Sequence, residues 1–342
     1  MQKIRESNFE LLRIIAMFCI LFYHFIGYFI LPIDESAIFL KSLRFLLHVG
    51  VLLFIFISGY FTIKPTIRGG MKLLLMTIIY FVPLQFIVDA MNGAGVISLA
   101  RDICVLSYGP YWFITTYLLF YLLVPVINKY IENISYIQRL YLLGSLAFIN
   151  IWIGRITEGL PYLIEGKNII NFFFLYLIGN TIRNCKSYWE KIPLTRITIL
   201  FIVYNITIIS TYYYNQDGVI GKVVTRLCYG YNSPGLIFGA LLLFLIFAKI
   251  KIKNKLINYI SSSVFAVYLI TDQTYIRNYI LKDLVETIYT ASVTTYLQII
   301  LIISFTIFVM FVCVVIDKML SPMWKISNFI SKKYTYEYFW NK

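Results

Sequence analysis

Two ionisable residues, Arg13 and His24, stand at the ends of an otherwise apolar stretch, RIIAMFCILFYH. An α-helix turns about 100° and rises about 1.5 Å per residue. Residues eleven positions apart therefore share one helix face and lie about 16 Å apart along the axis. Glu10 falls on the same stripe, close to Arg13. Ionisable side chains inside apolar helices are rare and usually functional, so the spacing predicts a polar path along this face.

The chemistry that fits such a path is acyl transfer from coenzyme A, whose phosphates and thioester lie at opposite ends of a long, thin arm. Arg13 would hold the phosphates. His24 would take the proton of an acceptor hydroxyl as that hydroxyl attacks the thioester. An acyl-imidazole formed first on His24 is an alternative route. In a purely structural interpretation, Arg13 extends to the lipid head groups and His24 hydrogen-bonds a neighbouring helix.

The composition identifies the class of protein to which this helix belongs. Of the 342 residues, 60% are hydrophobic and 13% are charged, whereas soluble domains are about a quarter charged. The mean hydropathy is +0.79, as expected for a multi-pass membrane protein. The net charge of +14 then indicates basic cytoplasmic loops and anionic lipid, and nucleic acid is not expected as a partner. The five cysteines show no metal-ligand spacing, so no metal is expected.

Apolar windows of about twenty residues predict ten transmembrane helices. They lie at about 9–30, 45–62, 73–89, 111–128, 140–154, 168–182, 197–214, 233–248, 261–279 and 294–316. With both termini in the cytoplasm, 20 of the 30 Lys and Arg residues fall on inner connections, nine fall on outer ones, and Arg13 lies within a helix. Cytoplasmic loops carry such an excess. The sequence therefore predicts an all-α membrane protein with about ten helices and both termini cytoplasmic.

The chain is expected to form a single integral-membrane domain over residues 1–342, because no repeat, low-complexity segment or soluble module interrupts it. Its N-terminus is basic like a signal peptide, but the apolar stretch behind it is too long and lacks a small-residue cleavage site. The stretch is therefore expected to remain as the first membrane anchor. The segment at about 317–342 mixes aromatic residues with lysines and is expected in the cytoplasm, with an interfacial helix as one interpretation.

Short motifs continue along the chain beyond the first helix. They are SNFELLR at 7–13, FIFISGYF at 54–61, YWFITTYLLFYLLVP at 111–125, FFFLYLIGNTIR at 172–183, NSPGLIFGALLLF at 232–244 and SSSVFAVYLITD at 261–272. In this order, and with ten residues between Arg13 and His24, they resemble the acyltransferase family 3 membrane proteins, bacterial enzymes that mostly O-acetylate surface polysaccharides. The chain resembles the short form, which has no appended soluble domain.

The resemblance implies a multi-pass O-acyltransferase of the bacterial cell (plasma) membrane, with acetyl-CoA as donor, a saccharide as acceptor, and Arg13 and His24 as the essential pair. The acceptor stays open among capsule, exopolysaccharide, wall polymer and lipid-linked sugar, and acetyl is favoured over other acyl groups by family habit alone. The oligomeric state, a homo-oligomer included, is also open. Two positions depart from the family. Many relatives have His after the YLI of the ninth helix, where this chain has Thr271 and Asp272, and one branch has acidic residues some five positions after the Trp of the fourth helix, where this chain has Tyr117 and Leu118.

Asp272 is predicted near the depth of His24, where a carboxylate would orient the imidazole and stabilise its charged form. In the alternative, Asp272 pairs with Arg277 at the outer rim. The turn KPTIRGGMK, after the second helix, carries three cations: Lys64, Arg68 and Lys72. Lys64 and Arg68 are candidates for binding the coenzyme A phosphates, although the ordinary cytoplasmic charge bias explains them nearly as well.

Three further residues are candidates for the acceptor side. Tyr111 and Trp112 begin the fourth helix, where their rings would stack on a sugar or belong to the aromatic belt at the membrane surface. His48 begins the second helix near the same surface, where it would either line the acceptor side or have a purely structural role.

Two functions from other classes remain as alternatives. The first is a transporter or flippase of a lipid-linked saccharide, but the prolines do not form the paired, broken spans typical of inverted repeats. The second is a noncatalytic membrane component that binds a partner, and the intact Arg13–His24 pair argues against it. Loss of saccharide export, rather than of its acyl groups, would favour the first alternative.

Overall fold

The computed structural model describes residues 6–93, 104–108, 111–291 and 294–323. These residues form helices joined by short connections, and no β-strand occurs among them. The prediction of an all-α fold is therefore confirmed.

The α-helices of the first half of the chain are α1 (Ser7–Phe25), α2 (Ile38–Leu47), α3 (Gly50–Tyr60), α4 (Ile67–Met91), α5 (Val105–Tyr108), α6 (Trp112–Asn133), α7 (Tyr136–Ala147) and α8 (Ile169–Asn184). Those of the second half are α9 (Lys186–Trp189), α10 (Leu194–Asn215), α11 (Val219–Cys228), α12 (Pro234–Lys249), α13 (Lys255–Ser261), α14 (Val264–Thr271), α15 (Lys282–Thr290) and α16 (Thr295–Met319).

Wider, π-helical turns adjoin three of these helices. Ile26–Ile30 follows α1, Phe148–Ile156 follows α7, and Ile276–Leu281 precedes α15. Such turns are rare and frequently occur at functional sites. The first begins two residues after His24, so His24 lies at the end of the regular part of the first helix.

Seven segments of the described residues are long and apolar enough to cross a membrane: Ser7–Ile30, Ile38–Tyr60, Ile67–Met91, Trp112–Asn133, Tyr136–Ile156, Leu194–Asn215 and Thr295–Met319. Two shorter apolar segments are Pro234–Lys249, which coincides with the predicted eighth helix, and Lys255–Thr271, which overlaps the predicted ninth helix but begins at residue 255 rather than 261 and ends at residue 271 rather than 279. Helix α8 coincides with the sixth. The chain is therefore a multi-pass helical membrane protein. The count of ten helices and the cytoplasmic termini stay predictions.

Several predicted boundaries were wrong. The third helix begins at Ile67 rather than residue 73, so Arg68 and Lys72, assigned to a turn, lie within α4. The second apolar segment begins at Ile38 rather than residue 45, so Lys41 and Arg44, assigned to an outer connection, lie within α2. Long basic side chains can run along apolar surface and still keep their charged heads polar, which is why window averaging stops too early. At the other end, α16 continues to Met319, past the predicted start of the tail at residue 317. Residues 324–342 of that tail lie outside the described residues.

Helix α1 is central to the fold, because it packs against α2, α3, α12, α13, α14 and α16. One apolar cluster joins it to α4, α14 and α16 and includes the buried Phe25 and Leu269. A second joins it to α3, α8 and α12 and includes the buried Phe9 and Phe56. Both clusters contain α1 residues, so the two parts of the core meet on the helix that carries Arg13 and His24.

Helices α3 and α8 cross with their backbones in close contact. A Cβ atom at Gly59 would overlap the carbonyl oxygen of Tyr176, and one at Gly179 would overlap that of Phe56. Small residues let transmembrane helices approach this closely and pack by dispersion. The glycine of the FIFISGYF motif is therefore required by helix packing.

We expect Gly59→Ala and Gly179→Ala each to lower the free energy of unfolding by about 1–3 kcal/mol, because the helices must separate to admit the methyl group. Thermal unfolding of the purified protein in detergent measures the effect. Gly144→Ala is the matched control, since a Cβ at Gly144 meets no atom within 4 Å and alanine is the better helix former by about 1 kcal/mol. Equal stability of Gly59→Ala and Gly144→Ala would contradict the close-packing account.

Candidate functional site

A cavity of about 440 Å³ runs beside α1, and both Arg13 and His24 line it. Its other walls come from α3, α4, α6, the α13–α14 break and the connection between α11 and α12. Both residues lie within the regular helix Ser7–Phe25, so the eleven-residue spacing keeps them on one face. The structure therefore places both ionisable residues of the stripe along one cavity.

One end of the cavity, which we call the Arg13 end, is polar. The Arg13 guanidinium donates to Oε1 of Glu10 at 2.7 Å, and the Ser261 hydroxyl donates to Oε2 of the same carboxylate at 2.6 Å. The Glu10 side chain is only 9% exposed, whereas that of Arg13 is 32% exposed. Lys72 of α4 lines the same end. Glu10 thus holds Arg13 in place, and the accessible charges at this end are cationic.

The Arg13 end also contains a helix break. Three serines, Ser261 to Ser263, separate α13 from α14, and Ser261 and Ser262 line the cavity. The Ser262 hydroxyl accepts a hydrogen bond from Lys318 at 2.6 Å. The Ser263 hydroxyl donates to the buried carboxylate of Asp317 at 2.6 Å. Side chains of α1 and α16 therefore bond to the serines of this break, which separates α13 from α14.

The middle of the cavity is apolar. Its walls here are Met17 and Ile20 of α1, Val51 and Phe54 of α3, and Leu73 of α4. These side chains separate the cations of the Arg13 end from the imidazole of His24 by about 16 Å of helix. The cavity is therefore suited to a long, thin molecule that has charge at one end.

The other end, which we call the His24 end, is aromatic. His24 lines the cavity and its imidazole makes no hydrogen bond to protein within the described residues; its ring neighbours are Tyr23 at 6.0 Å and Tyr28 at 4.9 Å between centroids. Trp112 and Tyr231 line this end too, with ring centroids 5.1 Å apart. An imidazole without a protein partner can accept a proton from a ligand in the cavity.

Asp272 is buried and forms the Arg277 pair that the sequence offered as an alternative. Its carboxylate accepts from the Arg277 guanidinium at 3.0 Å. That guanidinium lies 5.3 Å from the centre of the Tyr28 ring, and Tyr28 in turn packs beside His24. Asp272 therefore approaches His24 through Arg277 and Tyr28, and a direct orienting bond from Asp272 to the imidazole is not part of this arrangement.

His48 lies behind the cavity wall, within a cluster of tyrosine rings. Its imidazole stacks on Tyr23 at 4.7 Å and contacts Tyr229 at 4.7 Å and Tyr231 at 4.4 Å. The guanidinium of Arg44 covers the Tyr23 ring at 4.3 Å. His48 does not line the cavity. It contacts the wall residue Tyr231 from behind.

The remaining predicted site residues divide between the cavity and its surroundings. Trp112 lines the cavity, whereas its neighbour Tyr111 is fully buried and donates its hydroxyl hydrogen to the Leu269 carbonyl at 2.7 Å. Lys64 and Arg68 are exposed and do not line the cavity. The third cation of the predicted turn, Lys72, lies in α4 instead and does line the cavity.

The sequence analysis missed Tyr231, which stands in the connection between α11 and α12. Its backbone N–H donates to the Glu165 carbonyl at 3.1 Å, and its carbonyl accepts from Asn171 at 3.2 Å. Arg155 holds the preceding helix end through two carbonyl oxygens at 2.7 and 2.8 Å. Buried polar residues at positions 171 and 232 within apolar surroundings were the available signal, because buried amides normally fix backbone.

The site can bind a long ligand by its charged end and place the other end beside a base. Arg13 and Lys72 can hold phosphate oxygens, His24 can accept a proton, and the Trp112 and Tyr231 rings can pack on a sugar face. Among the described residues, no group of three or more His, Cys, Asp or Glu side chains could hold a metal ion.

The chain matches one protein-family sequence model, described as an acyltransferase domain, over residues 6–318. The match covers nearly the whole chain. No curated protein and no solved structure matches it.

We expect Gly230→Ala to lower the free energy of unfolding by about 1–3 kcal/mol. Gly230 has a φ of +126°, a conformation almost confined to glycine, and an added Cβ would lie 3.3 Å from the Arg155 guanidinium carbon. Chemical unfolding in detergent measures the change. In the control Gly159→Ala, the nearest atom to the Cβ is an ordinary 3.4 Å away, so stability should move by less than about 0.5 kcal/mol. Equal stability would show that the connection tolerates another backbone conformation.

Proposed function

Because this chain belongs to acyltransferase family 3, we propose that it transfers an acyl group, acetyl in the simplest case, from a cytoplasmic acyl-CoA to a hydroxyl of a surface polysaccharide or lipid-linked sugar. The placement that accompanies this proposal is the bacterial plasma membrane, with the Arg13 end of the cavity toward the cytoplasm. The single observation that carries it is that Arg13 and His24 line one continuous cavity with an apolar middle.

The donor would enter by the Arg13 end. Its phosphates would meet Arg13 and Lys72, and its thin arm would pass the apolar wall of α1 and α3 to bring the thioester near His24. Glu10 supports this arrangement, because a carboxylate bonded to both Arg13 and Ser261 fixes the direction of the guanidinium. Charge-assisted contacts to phosphate are among the stronger hydrogen bonds in proteins.

The acceptor would occupy the aromatic His24 end, with a sugar face against Trp112 and Tyr231. His24 would act as a general base, taking the proton of the acceptor hydroxyl during attack on the thioester. Within the described residues the imidazole has no hydrogen-bond partner, which supports this role over a purely structural one. The acyl-imidazole route uses the same residue and the same placement of donor and acceptor.

We expect His24→Ala to abolish acyl transfer, at least about a 100-fold loss, because a positioned general base contributes about that much or more. Wild type and variant would be produced at matched membrane levels in the host lacking the gene, and proton NMR would measure the O-acetyl content of its surface polysaccharides. Equal ester content with both proteins, together with a changed amount of surface polysaccharide, would contradict acyl transfer and favour saccharide transport.

We expect Lys72→Ala to raise the KM for acetyl-CoA about three- to tenfold, because it removes one cation from the Arg13 end. Lys64→Ala is the matched control: it removes the same charge from a nearby position in the chain, but from a side chain outside the cavity. Steady-state transfer of radiolabelled acetyl groups in proteoliposomes measures both. An equal rise with both variants would show that only the general attraction of the basic surface matters.

A further inference from the structure

Tyr268 of α14 lines the cavity and is 6% exposed, yet its hydroxyl has no hydrogen-bond partner in the described part of the chain. A buried hydroxyl without a partner carries a desolvation cost that nothing repays in the free protein. Several other buried side-chain atoms also lack partners, among them Arg44 Nε and His48 Nδ1. Tyr268 is the one such residue, within the described ranges, that lines the cavity.

The ring of Tyr268 belongs to the aromatic wall of the His24 end. It packs edge-on against Phe113 at 6.0 Å, Phe113 packs against Trp112 at 6.0 Å, and Trp112 packs against Tyr231 at 5.1 Å. Helix α14, which carries Tyr268, also packs against α1. The unpartnered hydroxyl thus belongs to the part of the cavity where the acyl group would meet the base.

We propose that the Tyr268 hydroxyl donates a hydrogen bond to the carbonyl oxygen of the acyl group while transfer takes place. The inference rests on the proposed function, because it assigns a residue to the same reaction. A phenol is a suitable donor, since it stays neutral near neutral pH and offers a single O–H. With no protein acceptor competing for it, the hydroxyl is free to donate to the ligand.

In the proposed reaction, the acceptor hydroxyl oxygen bonds to the thioester carbon, its proton moves to His24, and the carbonyl π electrons move onto oxygen. The resulting oxyanion accepts the hydrogen bond from Tyr268. When the carbonyl re-forms, the carbon–sulfur bond breaks, and the departing thiolate takes the proton back from His24. The products are the saccharide ester and free coenzyme A. A donor aimed at such an oxyanion acts mainly in the transition state and so raises kcat.

The test compares Tyr268→Phe with Tyr111→Phe, a matched control at the residue directly before helix α6. Both remove one buried phenolic oxygen, but the Tyr111 hydroxyl is bonded to the Leu269 carbonyl. Wild type, His24→Ala and the two tyrosine variants would be reconstituted in proteoliposomes. Labelled acetyl-CoA would be the donor, and alkali-treated envelope saccharides of the host lacking the gene would be the acceptor. Thermal unfolding would be followed in the same preparations.

We expect Tyr268→Phe to lower kcat about 100-fold, to leave the KM for acetyl-CoA within about twofold, and to leave the melting temperature unchanged or higher. Tyr111→Phe should lower the melting temperature by about 2–4 °C and keep the kcat per folded molecule. Wild-type kcat in Tyr268→Phe would overturn the inference. So would a change confined to the acceptor KM, or a fall in melting temperature that matches Tyr111→Phe. Wild type that transfers no more acetyl than His24→Ala would instead overturn the proposed function.

Discussion

A charged side chain within an apolar helix must be partnered or kept in contact with a polar space, and this requirement at α1 organises the rest of the structure. Burial of an unpaired charge costs several kcal/mol. Glu10, whose carboxylate also accepts from Ser261, partners Arg13 on one side, and the cavity provides the polar space on the other. The surrounding helices therefore cannot close against this face of α1, and the two apolar clusters form elsewhere on the same helix. The cavity is thus a consequence of the polar stripe.

Interruptions of regular helix shape both ends of this cavity. At the Arg13 end, three serines separate α13 from α14, and their hydroxyls bond to neighbouring helices. At the His24 end, a π-helical turn follows α1. Non-helical backbone at membrane depth is tolerated where protein buries it or where it lines a polar cavity. The serine break lines the cavity, and the π-helical turn is largely buried by protein.

The sequence predicted the features that depend on one helix, and it failed where partners come from distant segments. The Arg13–His24 alignment follows from helical repeat alone, and the apolar helices follow from hydropathy. In contrast, Tyr231 reaches the cavity through a connection held by Asn171 and Arg155, some sixty to seventy residues away in the chain. Lys64 and Lys72 carry the same charge and lie close in sequence, but Lys72 lies within α4, and only tertiary packing decides which of them faces the cavity. Pairings of this kind depend on tertiary packing, which a hydropathy profile does not contain.

The neighbouring Tyr111 and Tyr268 show how hydrogen bonding separates two residues that look alike in sequence. Both are buried tyrosines in apolar helices, and their rings contact each other at 5.6 Å. The Tyr111 hydroxyl is bonded to a backbone carbonyl, so its burial is compensated within the protein and stabilises the contact between α6 and α14. The Tyr268 hydroxyl has no such compensation in the described residues, and its burial is favourable only if something else supplies an acceptor. Because Tyr268 and His24 line the same cavity, we infer that a bound ligand supplies the acceptor for this hydroxyl. A carbonyl oxygen that gains negative charge during the reaction would form the strongest hydrogen bond with it.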